Sequence, residues 1–440
     1  MRNLPWYLRP SYLEGRDIQA DVDGNVKAGT LAALLEWLVS DPLVEGQDKA
    51  YREVFLKTFT SFTTPDVVFE SLQRQYNMSP PPNLDETQLQ RWHEKRSQIQ
   101  MRVLDVLRGW LEEHHMLQED SHIALSMQEF LSQIRSPPPA AAAARQILLS
   151  MERLVVAPTF PSVSRRRGRQ QPLSNVLNID ATVLAQQLTV HEAFLFSRIR
   201  PQELVRYTKD QKGPGTVHLR AFCGTSDKLA ALVKSTVLEL DALDKRVDAL
   251  EYWIKVAHKC LGVNNISSMS AIVAALSSAD LSHLSRTWTE VTSSSTKLLH
   301  QMQKYNDPNS NYSHCRQYLQ TVEGPCVPFI GHPDKLNSLL SPQSTVRPFP
   351  PNAAAPAPAA APIINFSKRY GIAQAIDAIL RHQRQPYTFA EDPVTMGFLQ
   401  ERLAIAAAKD NELFWKRSQE IRRVEAAFGD IKRQMEWAGF

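Results

Sequence analysis

Cysteine is scarce and poorly placed for chemistry: Cys223, Cys260, Cys315 and Cys326 are the four in 440 residues, at irregular spacings and without a C-x-x-C pair. That excludes a dense disulfide framework and a recognisable zinc ribbon, and it fits reduced, buried thiols. Long apolar runs are missing too. No charge-free stretch reaches the roughly 20 residues that a spanning helix needs. The opening Met1-Arg2-Asn3-Leu4-Pro5-Trp6 lacks the basic-then-apolar build of a signal peptide, so a cytoplasmic address is expected. Charge of one sign is also in short supply, with 50 Lys and Arg against 46 Asp and Glu and a net charge of +4. Such a balance argues against a nucleic-acid partner. The one dense basic run, Arg165-Arg166-Arg167-Gly168-Arg169, reads as a solvated linker patch.

Phosphate-binding words are absent as well. There is no G-x-x-x-x-G-K-[ST] loop and no G-x-G-x-x-G after a strand, and Gly213-Pro214-Gly215 is only a turn signal. The chain is therefore not expected to bind nucleotide itself. His114 and His115 are adjacent and project at different angles from a helix, so they cannot share a metal as an i, i+4 pair would. His258 with Cys260, and His314 with Cys315, sit in no nucleophile elbow. Glu412 with Lys416, and Glu420 with Arg423, read as solvated helix faces. No acid and base pair, cofactor or metal is expected, and no covalent chemistry.

What is present is helical periodicity. Leu31, Leu34, Leu35 and Leu38 form one stripe, and Leu250, Ile254, Ala257 and Leu261 another. Leu229, Leu232, Val233 and Leu240, and then Ile372, Ile376, Ile379 and Leu380, carry the pattern onward, so an all-α fold of two helical bundles is expected. Two segments break it. From Pro137-Pro138-Pro139 through an alanine tract to Pro172 the composition reads as a mostly flexible linker containing one short helix. From Ser341 to Pro362 it is too rich in proline and too poor in large apolar side chains to pack. The expected domains are residues 5–136, a linker over 137–172, and a larger module over 173–425 interrupted at 341–362. A helical tail over 426–440 follows.

Beyond periodicity, the chain contains word-like blocks. Asp21-Val22-Asp23-Gly24-Asn25-Val26-Lys27-Ala28-Gly29-Thr30, followed by Phe55-Leu56-Lys57-Thr58-Phe59 and continuing to Thr64-Pro65, resembles the N-terminal exchanger motif of Ras-type guanine-nucleotide exchange factors. There Pro65 suits the start of the next helix. Leu184-Ala185-Gln186-Gln187-Leu188-Thr189, with Ile199-Arg200-Pro201-Gln202-Glu203-Leu204, resembles the opening of that family's catalytic domain. Trp253 to Leu261, Asn264-Asn265, Ser268 to Val273, Leu284 to Trp288, Asn311 to Arg316, Pro325 to Gly331 and Ile364 to Arg369 follow in family order. Phe414-Trp415-Lys416-Arg417-Ser418 resembles its closing block. Without the family, Trp288 and Phe329 would be core aromatics, Asn264-Asn265 a helix-terminating turn, and Pro328 to Gly331 an interhelical loop.

The resemblance implies a partner, a Ras-family small GTPase preferred in its nucleotide-free form. It implies that Asn264, Asn265, Tyr312 and Phe329 contact the GTPase switch regions, with Arg316 and Lys368 beside them. It implies membrane recruitment only indirectly, at the inner face of the plasma membrane, through a lipidated GTPase. In the family a helical hairpin pries one switch from the nucleotide. Here the pattern departs: relatives continue after the Pro-Phe-x-Gly block with a Tyr-Leu-Thr-Asp-Leu type helix, whereas this chain runs from Gly331 into His332-Pro333-Asp334-Lys335-Leu336. About a dozen residues, some three helical turns, are missing there. The alternative reading is accordingly an exchange-deficient scaffold that binds a GTPase without emptying it.

Overall fold

A computed structural model of the chain describes residues 4–15, 17–40, 47–114, 116–156, 174–207, 213–310, 312–330 and 362–437. The stretch after Gly331 and most of the 341–362 segment lie outside these residues, as does the Arg165–Arg169 run. The chain divides into two compact units, one of residues 1–163 with 341–375 and the other of residues 164–340 with 376–440. Helices dominate both, so the all-α expectation holds, with one small sheet among the described residues of the first unit.

That sheet begins with a tight hairpin, β1 (Ile18–Ala20) against β2 (Val26–Thr30). The Asp21 carboxylate closes the turn by accepting from the backbone N–H of Asp23 (3.0 Å) and Asn25 (2.7 Å), while Gly24 takes a φ of +86°. These hydrogen bonds hold the Asp21 carboxyl below the usual range. Gly29 is required for packing: a Cβ there would lie 3.0 Å from the Asp17 carbonyl oxygen. β2 leads into α1 (Leu31–Val39), whose first turn is capped by the Thr30 hydroxyl accepting from Ala33 N–H.

Around α1 pack α2 (Gln47–Thr58), α3 (Pro65–Tyr76), α4 (Glu86–Glu112) and α5 (Ser121–Gln133). Pro65 stands in the first turn of α3 as its fixed φ favours, although the Thr64 side chain makes no capping bond. Asp85 and Gln88 form a capping box that starts α4. The core is aromatic, with Phe55, Phe59 and Trp110 fully buried.

Two features of this unit differ from the sequence reading. The alanine tract is not mostly linker: Pro138–Val156 is a 19-residue helix, α6. Its prolines fall in the first turn, where they cost nothing, and alanine is the best helix former. Ala140, Ala144, Ile147 and Met151 recur at helical spacing and are buried in the first core. The second feature is β3 (Ile363–Asn365), which pairs antiparallel with β2 in the register Ala28 to Asn365 and Thr30 to Ile363. Phe366 follows it, fully buried, stacked 4.6 Å from the Tyr51 ring. Residues from the far end of the sequence thus complete the first core.

The second unit surrounds α10 (Ile266–Leu276), which is buried on nearly all sides. α7 (Ala181–Ser197), α8 (Val217–Leu238) and α9 (Leu243–Gly262) pack on it, together with α11 (Ser293–Gln303). α12 (Ser313–Thr321), α14 (Pro393–Ala407) and α15 (Asn411–Trp437) complete the unit, while α13 (Ser367–Leu380) starts in the first unit and ends in the second. Trp253 and Trp288, both in the quoted words, are half-buried to buried here, and each indole N–H has a partner: Thr236 Oγ1 and the Leu281 carbonyl, both at 2.8 Å. All four cysteines are buried, and none forms a disulfide among the described residues.

Candidate functional site

The quoted motifs converge where α9 ends. Asn264 adopts a φ of +59°, a left-handed conformation that asparagine tolerates better than most residues. The reversal lets Asn265 N–H donate to the Cys260 carbonyl at 2.8 Å, closing the helix. The Asn264 amide then reaches outward: its Nδ2 donates to the Pro325 carbonyl at 3.2 Å, and its Oδ1 accepts from the Tyr318 hydroxyl at 2.5 Å. Backbone pairing reinforces the link. Val327 N–H donates to the Asn264 carbonyl (3.0 Å), and the Val327 carbonyl accepts from Ile266 N–H (2.9 Å) and Ser267 N–H (3.2 Å). The 325–330 segment is thereby pinned to the α9–α10 turn, and the Tyr387 hydroxyl braces the turn by donating to the Val263 carbonyl at 2.9 Å.

On this frame stand Phe329 and Tyr312, each partly buried against the second core. Tyr312 also has a positive φ, +53°, immediately before α12, and its carbonyl accepts from Arg316 N–H at 3.0 Å. Asn264, Tyr312, Arg316 and Phe329 therefore belong to one unit, with α12 tied to the turn through Tyr318.

One of the other expected contact residues faces inward, and one belongs to the first unit. Asn265 is wholly buried, and its side chain faces inward as the N-cap of α10: Oδ1 accepts from Ser268 N–H (3.0 Å), and Nδ2 donates to Thr189 Oγ1 (3.1 Å) and Ser268 Oγ (3.0 Å). It shapes the turn and offers a partner no polar atom. Lys368 is exposed and lies in the 341–375 segment that folds with the first unit, its N–H donating to Asn365 Oδ1 at 3.0 Å.

Beneath the turn is a residue the motif reading missed. Glu192 on α7 is fully buried, and one carboxylate oxygen accepts from Ser268 Oγ at 2.8 Å while the other, Oε1, has no hydrogen-bond partner. Burial pushes its carboxyl up to about 7, against the opposing hydrogen bonds from its hydroxyl and amide neighbours. The Cys260 thiol, also fully buried, is raised by the same burial and by the nearby Glu192. The clue was available: Leu184, Leu188 and Glu192 share one helix face, and a charge on a buried stripe asks for a partner.

Asn264 makes a direct test of the frame. Asn264→Gly should keep the backbone conformation and lose two side-chain hydrogen bonds, costing about 1–2 kcal/mol. Asn264→Val should add left-handed strain of about 1–2 kcal/mol more. Urea denaturation of both variants checks this order, and equal losses would contradict it.

Comparison with known proteins addresses the family. Residues 183–370 match the RasGEF domain, and residues 25–130 match the RasGEF N-terminal motif. The chain belongs to the RasGEF family. The RasGEF match runs through the Asn264 turn and the 325–330 segment, and it ends at Tyr370 inside the segment that folds with the N-terminal motif. Among curated relatives, the Cell division control protein 25 of Saccharomyces cerevisiae is 27% identical over 440 residues, covering 88% of this chain and 26% of that protein. Its Candida albicans namesake is 27% identical over 431 residues, covering 90% of this chain and 30% of that protein. The Ras guanine nucleotide exchange factor P of Dictyostelium discoideum is 25% identical over 410 residues, covering 88% and 26%. The chain spans between a quarter and a third of the length of these relatives.

Proposed function

We propose that this chain promotes GDP release and GTP loading on a Ras-family small GTPase, through the surface built on the Asn264 turn. The observation that supports the reading is the pinned turn within the RasGEF match, on whose hydrogen-bonded frame Tyr312, Arg316 and Phe329 stand. Such a site needs no reactive group. Exchange is a linkage effect: a ligand that prefers the empty GTPase weakens nucleotide binding, and nucleotide weakens the ligand's binding by the same factor. Each tenfold of weakened affinity requires about 1.4 kcal/mol of differential contact, which favours a broad packed surface over a catalytic side chain. The chain thus acts catalytically on exchange without breaking a covalent bond, and meets the membrane through the lipid anchor of its GTPase.

The sequence gap after Gly331 favours a scaffold that binds without emptying, whereas the names of the relatives favour exchange. A fluorescent-GDP release assay with the purified chain decides between them. The expected result is faster release, tighter binding of the GTPase once stripped of nucleotide, and a roughly 30-fold loss of acceleration in Phe329→Ala with its thermal transition retained. Binding with an unchanged release rate would return the scaffold reading.

A further inference from the structure

The first unit contains a cleft of about 1000 Å³ that the exchange site does not use. Three helices frame it: α1 contributes Leu35 and Val39, α3 contributes Val67, and α4 contributes Trp92 and Ile99, while residues 7–11 close one side. The floor is recessed, with Leu35, Val39 and Trp92 each 3% exposed or less. Along α1 the cleft runs from Leu31 to Ser40, or about 15 Å, the length of a three-turn helix.

Its charge is one-sided. Arg74 of α3 is exposed and has no ion-pair partner among the described residues, and Lys95 and Arg96 of α4 stand across from α1. The Arg96 guanidinium lies 5.6 Å over the Trp92 ring, and its buried Nε has no hydrogen-bond partner. Burial, with Arg102 nearby, holds the Lys95 ammonium below its usual pKa. Of the two lining acids, Glu36 is already engaged by the Ser11 N–H (2.9 Å) and hydroxyl, leaving Glu70 at the rim.

We propose that this cleft is a docking groove for an acidic amphipathic helix of a partner protein, its apolar side chains filling the floor and its carboxylates meeting Arg74, Lys95 and Arg96. A groove framed by three helices, with an apolar floor from α1 and α4, presents the shape that accepts a helix through i, i+3, i+4 and i+7 anchors. A bilayer surface is a poorer fit, because a flat interface cannot reach side chains recessed this far. The site is independent of the exchange surface, so its fate does not follow that of the exchange reading.

The test titrates the full chain against fluorescein-labelled helical peptides of about 16 residues, with leucine at the anchor positions and glutamate flanking them. Controls replace glutamate with lysine, or scramble the leucines. The acidic peptide should bind saturably and the controls at least about tenfold more weakly. The double variant Arg74→Glu and Arg96→Glu should reverse the preference between acidic and basic peptides, and Val67→Asp, at an exposed position, should weaken both, with far-UV circular dichroism unchanged. Equal binding of the scrambled peptide, no saturable binding, or indifference to the charge reversal would overturn the proposal. So would displacement of the peptide by phosphatidylserine vesicles that bind the chain in a Val67-dependent way.

Discussion

Glu425→Ala is expected to destabilise the second unit by about 3–5 kcal/mol, the range for removing one partner from a buried ion pair. Arg246 and Glu425 are 4% and 7% exposed, and the guanidinium meets the carboxylate at 3.0 Å. Arg246 also donates to Thr287 Oγ1 (3.2 Å) and to the carbonyls of Leu240 (3.2 Å) and Asp241 (2.7 Å). Glu425 in turn accepts from the Thr287 hydroxyl and from Arg286 N–H at 3.1 Å. The cluster therefore ties α15 to α9 and to the Ser285–Glu290 helix. Deleting the carboxylate strands a cation that the neighbouring carbonyls only partly satisfy. The expected loss corresponds to a Tm lower by about 6–20 °C. A paired replacement, Arg246→Met with Glu425→Leu, should recover most of it, because two apolar side chains carry no desolvation penalty. If the double variant were as unstable as the single one, packing around α15 rather than charge would be the cause.

The second large effect is a pH dependence centred on Glu192. Its folded pKa of about 7 stands above the ordinary carboxylate value of 4.5. The folded state therefore holds this proton more tightly than the unfolded chain, and stability falls as pH rises between these values. The favourable contribution is complete below pH 4.5, declines through the interval and levels off above pH 7, at a total on the order of 3 kcal/mol. Burial also depresses His191 and His382, whose contributions run in the opposite direction, so the wild-type curve alone is a composite. Glu192→Gln keeps an acceptor for Ser268 and removes the titration. The difference between the two stability profiles, measured by urea denaturation from pH 4.5 to 8, should isolate the slope. Parallel profiles would show that Glu192 does not titrate in this interval.

Much of this arrangement was legible in the residues. Apolar stripes such as Leu250, Ile254 and Ala257 marked buried helix faces, and those positions are buried. The Asn264 turn was visible because asparagine at a helix end announces a reversal. The facing of Asn265 was not. Adjacent residues at a turn point in different directions, and only the positions of Thr189 and Ser268 settle that it looks inward. β3 was equally invisible: three residues are too few to show alternation, and its partner β2 is more than three hundred positions away in the chain. The alanine tract misled because low complexity suggests a linker, whereas Ala140 and Ala144, one turn apart, continue into Ile147 and Met151 as a buried helix face.

The placement of Phe366 against Tyr51 and Phe55 has a practical meaning for anyone dividing this gene. Cutting between the two matched regions would leave the front piece with an unfilled slot among its aromatic rings and the rear piece with a greasy plug on its surface. During synthesis the front half likewise waits, unfinished, until the ribosome has delivered the segment that seals it.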